Sequence, residues 1–224
     1  GDIGLPLSGR APNPGHGVTA IIETLNRFAG DITLVTLGPL TNIALALLQD
    51  PSIAAKVKSC VVMGGIGHGY GNVTPVAEFN IWVDPEAARI VFESGMPLTM
   101  VGWDVSRTYS VFGPDEAARL RRLGTLLAEF CVDIQRAVNE FALDVTRLDG
   151  FDLPDPMAMA VALDPTVATT TKRLFVEIEA SSSLCRGQTI VDHLQITGQE
   201  PNVDVVLEAS RERLLSILRQ CVKE

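Results

Sequence analysis

The sequence predicts an α/β fold, an open and mostly parallel sheet with helices on both faces. Three observations predict it. Short apolar, β-branched runs recur at Ile32–Leu37, Lys58–Met63 and Leu98–Val101, each of strand length. Segments with apolar residues at helical spacing separate them, and strands separated by helices are joined by parallel crossovers. Polar, glycine-rich stretches follow the strand ends, where ligands of open α/β sheets gather.

Each element has its own signal. Gly1 to Gly17, rich in Gly and Pro, reads as a loop or a weakly anchored terminus. Val18–Phe28 carries apolar residues at helical spacing and leads into the strand Ile32–Leu37. Leu40–Leu48 returns to helix with Thr41 or Asn42 as the expected cap, and Lys58–Met63 is the next strand. Pro85–Ser94 is a helix with Pro in its first turn, followed by the strand Leu98–Val101. Pro114 to about Leu143 is helical with a break near Gly124, and Pro156–Leu163 is a short apolar helix after an acidic turn. Leu174–Ile178, Thr189–Val191 and Val203–Leu207 read as strands, and Arg211–Val222 as a closing amphipathic helix. No internal repeat or low-complexity segment interrupts this order.

Composition narrows the partners. The chain has 224 residues, 46% of them hydrophobic and 20% charged, which suits one core and a single domain over 1–224. Its formal charge of −9 offers no basic face, so neither a nucleic acid nor an anionic membrane is an expected partner. No apolar stretch reaches the roughly 20 residues of a membrane span, and the first residues lack a signal-peptide pattern, so the expected location is cytoplasmic. Cys60, Cys131, Cys185 and Cys221 have no C-x-x-C spacing and read as free, structural thiols.

The richest segment is Val61-Val62-Met63-Gly64-Gly65 followed by Gly71-Asn72-Val73-Thr74-Pro75-Val76-Ala77-Glu78-Phe79-Asn80. A buried strand runs into a loop that places two amides and a carboxylate close together in sequence. A vicinal diol offers donors and acceptors and so pairs with Asn and Glu, whereas a phosphate site would want Lys, Arg or a helix N-terminus. The segment therefore reads as a sugar-binding loop. Each residue also has a plainer reading: Asn72 as a turn residue, Phe79 as core and Met63 as an ordinary strand end.

The run MGG…GNVTPVAEFNIWVDPEAA resembles the nucleoside hydrolases, the inosine-uridine preferring N-ribohydrolases that release base and ribose. Two further stretches share the resemblance, Leu34-Val35-Thr36-Leu37-Gly38-Pro39-Leu40-Thr41-Asn42 and Leu153-Pro154-Asp155-Pro156-Met157-Ala158, so that it spans about His16 to the C-terminus. The resemblance implies that Asn72, Glu78 and Asn80 hold the ribose hydroxyls, that Met63 lies against the sugar, and that Phe79 flanks the base. It implies a calcium ion bound by Asp155, which also touches the ribose, and by the main-chain carbonyl of Leu37. The mixture of carboxylate and carbonyl oxygens suits calcium. Asp155 has the alternative of capping a helix that begins at Pro156. The implied partner is a small-molecule nucleoside or ribose, and the implied assembly a homodimer or homotetramer.

Two departures from the family pattern carry weight. The histidine that many members place before the aspartate, as acid for the leaving base, is Pro154 here. Activation then falls to another group or to stacking on Phe79, Trp82 or Trp103, and His68 reads first as a solvated loop residue; His16 and His193 adjoin no motif. The family's opening strand and aspartate cluster, D-x-D-x-x-x-D-D, supply most calcium ligands and the water-activating carboxylate, and no such cluster occurs in these 224 residues. The expectation is a domain truncated at its N-terminus relative to the family, with the first strand or strands missing and no catalytic base of its own. Three readings follow: an N-ribohydrolase completed by an upstream segment, a non-catalytic nucleoside- or ribose-binding module, and an inactive truncated remnant. Purine against pyrimidine preference is not legible in the loops.

Overall fold

A computed structural model of the chain describes Gly9, Ala11 and residues 14–142 and 149–223. Most of the expected first loop, and Leu143 at the end of the expected helical stretch, lie outside the described residues.

The sheet grows from the apolar runs. β1 (Ile32–Thr36), β2 (Val57–Met63), β3 (Leu98–Val101) and β7 (Val203–Ala209) are parallel neighbours in that order. β4 (Ala168–Leu174) adds a fifth strand antiparallel to β7. β5 (Val176–Ile178) and β6 (Thr189–Val191) form a separate two-stranded antiparallel ribbon. The expected strand Leu174–Ile178 is thus two strands in two sheets, the chain changing sheet at Phe175. β4 escaped the sequence reading because its edge position leaves Thr169, Thr171, Lys172 and Arg173 exposed, so the strand carries no apolar alternation.

Period-two alternation divides the sheet's side chains between two cores. Cys60 and Val62 of β2, Leu98 and Met100 of β3, and Val203 and Val205 of β7 pack with α1 (Gly17–Arg27), α2 (Thr41–Gln49) and α4 (Pro85–Phe92). Val61, Met63, Val101 and Val206 point the other way, onto α5 (Trp103–Tyr109), α9 (Pro154–Leu163) and α10 (Arg211–Cys221). A third cluster joins Phe112, Phe151, Leu153 and Val222 with Leu120 of α6 (Pro114–Arg121) and Ala128 of α7 (Leu126–Asp133). Gly124 falls between α6 and α7 with φ of +68°, and a further short helix, α8 (Arg136–Phe141), follows α7. α3 (Phe79–Val83) and α5 had no counterpart in the sequence reading; both are under eight residues, too short for periodicity to show.

Local chemistry sets several boundaries. α2 starts without a side-chain cap at Leu40, and Thr41 instead donates to Asp84 Oδ2 at 2.6 Å, tying α2 to the start of α4. Asp84 also caps α4 through Ala87 N, ahead of Pro85 at the first helical position. All four cysteines are free; Cys60 is buried and its thiol is pushed up to about 12 by desolvation, so it behaves as a small hydrophobe. No helix among the described residues is long and apolar enough to cross a membrane.

Candidate functional site

The strand ends assemble one edge of the sheet. Register pairs Thr36 with Val62 and Met63 with Val101, so Leu37, Met63-Gly64 and Gly102-Trp103 leave β1, β2 and β3 side by side. Gly65 turns the chain with φ of +75°, and a Cβ there would lie 2.5 Å from Thr189 Cγ2, so only glycine fits both the conformation and the space. Thr189 of β6 then clamps the next residue, accepting from Ile66 N at 2.8 Å and donating to Ile66 O at 2.7 Å.

The loop beyond closes on itself. Gly71 N donates to Pro75 O at 3.0 Å and Asn72 N to Ala77 O at 3.2 Å, and a Cβ on Gly71 would sit 2.2 Å from the Ala77 carbonyl. Asn72 Oδ1 accepts from Phe79 N at 2.9 Å. The turn-residue reading of Asn72 therefore describes its side-chain carbonyl, while its exposed amide nitrogen remains available as a donor.

Glu78 caps α3 from a buried position, 2% exposed. Its Oε1 accepts from Asn80 N at 3.0 Å, and its Oε2 from Gly65 N at 3.0 Å and Ile81 N at 3.4 Å. With three of about four lone-pair directions taken, one acceptor site on Oε1 is left for a ligand. Burial raises its pKa above the usual carboxylate value against the pull of the three N–H groups, and the nearby Asp155 charge raises it further. α9, which carries Asp155, packs Met157 and Ala158 in one cluster with Met63, the strand end to which Asn80 is tied.

Asn80, 8% exposed, donates Nδ2 to Met63 O and Met63 Sδ, both at 3.2 Å, which fixes the amide under the strand end and directs its carbonyl oxygen away from Met63. Phe79 is 51% exposed and Trp82 38%, so neither is core. Asp155 lies in the first turn of α9, whose N-cap is Leu153 without a side-chain bond. The helix thus begins at Pro154 rather than Pro156, and Asp155 is not its cap. Its carboxyl is exposed, with enough protein around it that desolvation raises its pKa. Pro154 occupies the first helical position, where its missing N–H costs nothing.

The calcium expectation can be tested on oxygen donors. Leu37 is 41% exposed at the end of β1, and the neighbouring Thr36 hydroxyl is buried without a hydrogen-bond partner among the described residues. No group of three or more His, Cys, Asp or Glu able to hold a metal occurs among the described residues. One carboxylate, one carbonyl and one orphaned hydroxyl fall short of the roughly six to eight oxygens calcium takes. The residues present do not by themselves fit the ion.

Several residues around the site had no sequence signal. Asp104, in the first turn of α5, accepts from Gly67 N and His68 N, each at 2.9 Å, and burial raises its pKa. His193 Nε2 meets Gly67 O at 2.8 Å, and its ring stands edge-on to that of His68. His16 lies elsewhere, capping α1 through Val18 N. Ser106 Oγ donates to Asp152 Oδ2 at 2.9 Å, joining α5 to the turn that carries Asp155. Apart from the His16 cap, each of these hydrogen-bonded pairs is separated by at least 36 residues, so the contacts have no local sequence mark.

Comparison with known proteins gives a consistent set. A sequence model of the family described as inosine-uridine preferring nucleoside hydrolase matches residues 1–216. The pyrimidine-specific ribonucleoside hydrolase RihB of Escherichia coli O1:K1 / APEC is 38% identical over 223 residues, covering all of this chain and 70% of that protein. Among solved structures, the plant nucleoside hydrolase PpNRh1 superposes with a TM-score of 0.90 at 30% identity, over 96% of this chain and 69% of that one. A purine-preferring ribonucleoside hydrolase from Gardnerella vaginalis superposes with a TM-score of 0.87 at 31% identity, over 97% of this chain and 70% of that one.

Proposed function

The chain belongs to the inosine-uridine preferring nucleoside hydrolase family, and on that premise we propose that it binds the ribose of a ribonucleoside for hydrolysis of the N-glycosidic bond to base and ribose. One observation supports the reading: the buried Glu78 carboxylate, held by three backbone N–H groups, with Asn80 beneath the strand end and Asp155 on the helix that packs against that strand. Two neighbouring carboxylates repel a phosphate and accept from hydroxyls, so the cleft favours a neutral diol.

The same groups act on the reaction. Positive charge develops on the sugar as the glycosidic bond breaks, and a carboxylate held by main-chain donors, as Glu78 is, stabilises it without reorganising. Met63 and Phe79 supply apolar surface for the sugar and the base, and Asn72 Nδ2 an outward donor. Water activation and the remaining metal ligands are assigned to a carboxylate cluster that these 224 residues do not contain. In this reading Leu37 O and Asp155 contribute two calcium oxygens to a shell completed by that cluster. In the same reading the working protein is a cytoplasmic homodimer or homotetramer.

A second reading, a nucleoside-binding module without hydrolysis, is favoured by the absence of any metal-capable group of three among the described residues. Two measurements separate them: calorimetric titration with inosine and uridine, and a reducing-sugar assay on the chain before and after a family aspartate segment is joined ahead of it. Binding with ribose release in the extended polypeptide supports hydrolysis. Binding with no release in either supports the module, and no binding in either rejects the ribose site.

A further inference from the structure

Two imidazoles from distant parts of the chain meet at the surface. The rings of His68 and His193 lie 5.8 Å apart between centroids at an interplanar angle of 83°, and both residues are exposed. Two exposed polar rings gain little by hiding from water, so burial does not account for their meeting.

The main chain holds both residues in place. His193 Nε2 lies 2.8 Å from the Gly67 carbonyl oxygen, which only accepts, so Nε2 carries the proton and the neutral ring keeps a lone pair on Nδ1. A backbone carbonyl bonded to one ring nitrogen is the support that fixes tautomer and orientation in metal-binding histidines. That carbonyl is itself fixed, because Gly67 N and His68 N both donate to Asp104, each at 2.9 Å. On the other side, Asp192 accepts from Ile196 N at 3.0 Å and from Thr197 N at 2.9 Å, which closes the turn that carries His193. Both backbones are thus set before any ligand arrives.

We propose that His68 and His193 form a binding site for a divalent transition-metal ion of the zinc type, which staples the loop leading to Asn72 to the turn after β6. The spacing suits such an ion. Zinc about 2.0–2.1 Å from each nitrogen, at a tetrahedral angle, puts two imidazole centroids roughly 5–5.5 Å apart. A small rotation of either exposed side chain covers the difference from the observed 5.8 Å. Imidazole nitrogens suit zinc, copper and nickel, whereas calcium takes oxygens. Asp104 and Asp192 are committed to N–H groups, and no group of three or more His, Cys, Asp or Glu able to hold a metal occurs among the described residues. Two protein nitrogens with water in the other positions make an open, exchangeable site rather than a closed structural one. It uses none of the calcium donors named above and does not depend on the ribose reading.

The test is calorimetric titration of the full chain with zinc chloride, for the parent protein, His68→Gln, His193→Gln and His16→Asn. Glutamine at position 193 still donates to Gly67 O but has no ring lone pair to offer a metal, and His16 lies elsewhere, capping α1. The parent is expected to bind zinc, and each of the first two variants to bind it at least about tenfold more weakly, since losing even a supporting partner costs about 10–100-fold. His16→Asn should bind as the parent does. Amide exchange gives a second readout: zinc should slow exchange in the loop from Gly64 to Asn72 in the parent and not in His193→Gln. Zinc binding that survives both glutamine substitutions places the ion elsewhere, the cysteines included, and overturns the proposal. So does a loss confined to one histidine, which marks a solitary imidazole, and so does a parent that binds no zinc, which leaves the two rings as a packing contact.

Discussion

Glu78 Oε2 accepts the backbone N–H of Gly65 at 3.0 Å, so the carboxylate that follows the glycine-rich loop is pinned to the exit of the strand that precedes it. The bond closes the loop across a sequence separation of 13. The Gly65 peptide works in both directions, since its carbonyl takes Trp103 N at 2.9 Å and so joins the carboxylate to the start of α5. Gly64 has no room to spare either: a Cβ there would lie 3.3 Å from Glu78 Oε2. The carboxylate is thus preorganised by main-chain donors, the kind of support that survives changes in the surrounding side chains.

Glu78→Gln is expected to lower both stability and nucleoside binding. A glutamine must turn its NH2 toward Asn80 N or toward Gly65 N and Ile81 N, and in either orientation a donor faces a donor. At least one buried N–H then goes unsatisfied, at a cost of about 1–3 kcal/mol, offset in part by the relief of removing a charge that burial disfavours. Urea unfolding at neutral pH reads the loss; a variant as stable as the parent would show that these bonds contribute little.

Thr189→Val tests the clamp from β6. Valine keeps the shape but removes the bonds to Ile66 N and Ile66 O, leaving a buried donor and acceptor bare. A loss of about 2 kcal/mol is expected, with faster hydrogen exchange confined to the loop from Gly64 to Asn72. Exchange that rises evenly over the whole chain would mean that Thr189 supports the fold at large rather than this loop.

Asn72, Glu78 and Asn80 stood out because they share a short run whose residue types suit a diol, whereas Asp155 stood out only through the family resemblance of its Leu153–Ala158 run. Their neighbours did not. Thr189 meets Ile66 across 123 residues, and Asp104 meets Gly67 across 37, so only the sheet order brings them together. The same limit explains the strands: β2 and β7 announce themselves through apolar runs, whereas β4 shows mostly Thr, Lys and Arg to solvent and is a strand only because β7 offers it an edge. The alternative role of Asp155 as a helix cap failed for a local reason, since Pro154 starts α9 one residue earlier.

Asp155→Asn should change how stability depends on pH. Desolvation raises Asp155 above its ordinary value of 3.8, and its charge helps to raise Glu78 above 4.5. Carboxyls raised on folding hold more protons in the folded than in the unfolded state, so their contribution is full below the unfolded pKa values and is lost as pH rises through the folded ones. The variant removes one such group and eases the other. Parent-minus-variant stability should therefore fall as pH rises from below 3.8 through the raised carboxylate range. Urea midpoints for both proteins across that range decide it, and a difference that grows with pH would reverse the assignment.

Calcium titration of the polypeptide as it stands gives the sharpest test of the donor count. Asp155 offers one carboxylate, partly solvated, and Leu37 one carbonyl at the exposed end of β1, while Glu78 has already committed most of its lone pairs to backbone N–H groups. Asp104 is committed likewise to Gly67 N and His68 N, and Asp152 accepts from Ser106, so the nearby carboxylates are engaged within the fold. Most of a shell of about six to eight oxygens would then be water, and affinity weaker than about 10⁻⁴ M is expected, with no ribose released from inosine or uridine. Because engaged carboxylates would have to break main-chain bonds to coordinate the ion, micromolar binding would have to come with a rearranged loop between Gly64 and Glu78. Calorimetry beside amide exchange of that loop distinguishes the two outcomes, and tight binding with the loop unchanged would show that the metal donors lie elsewhere in the chain.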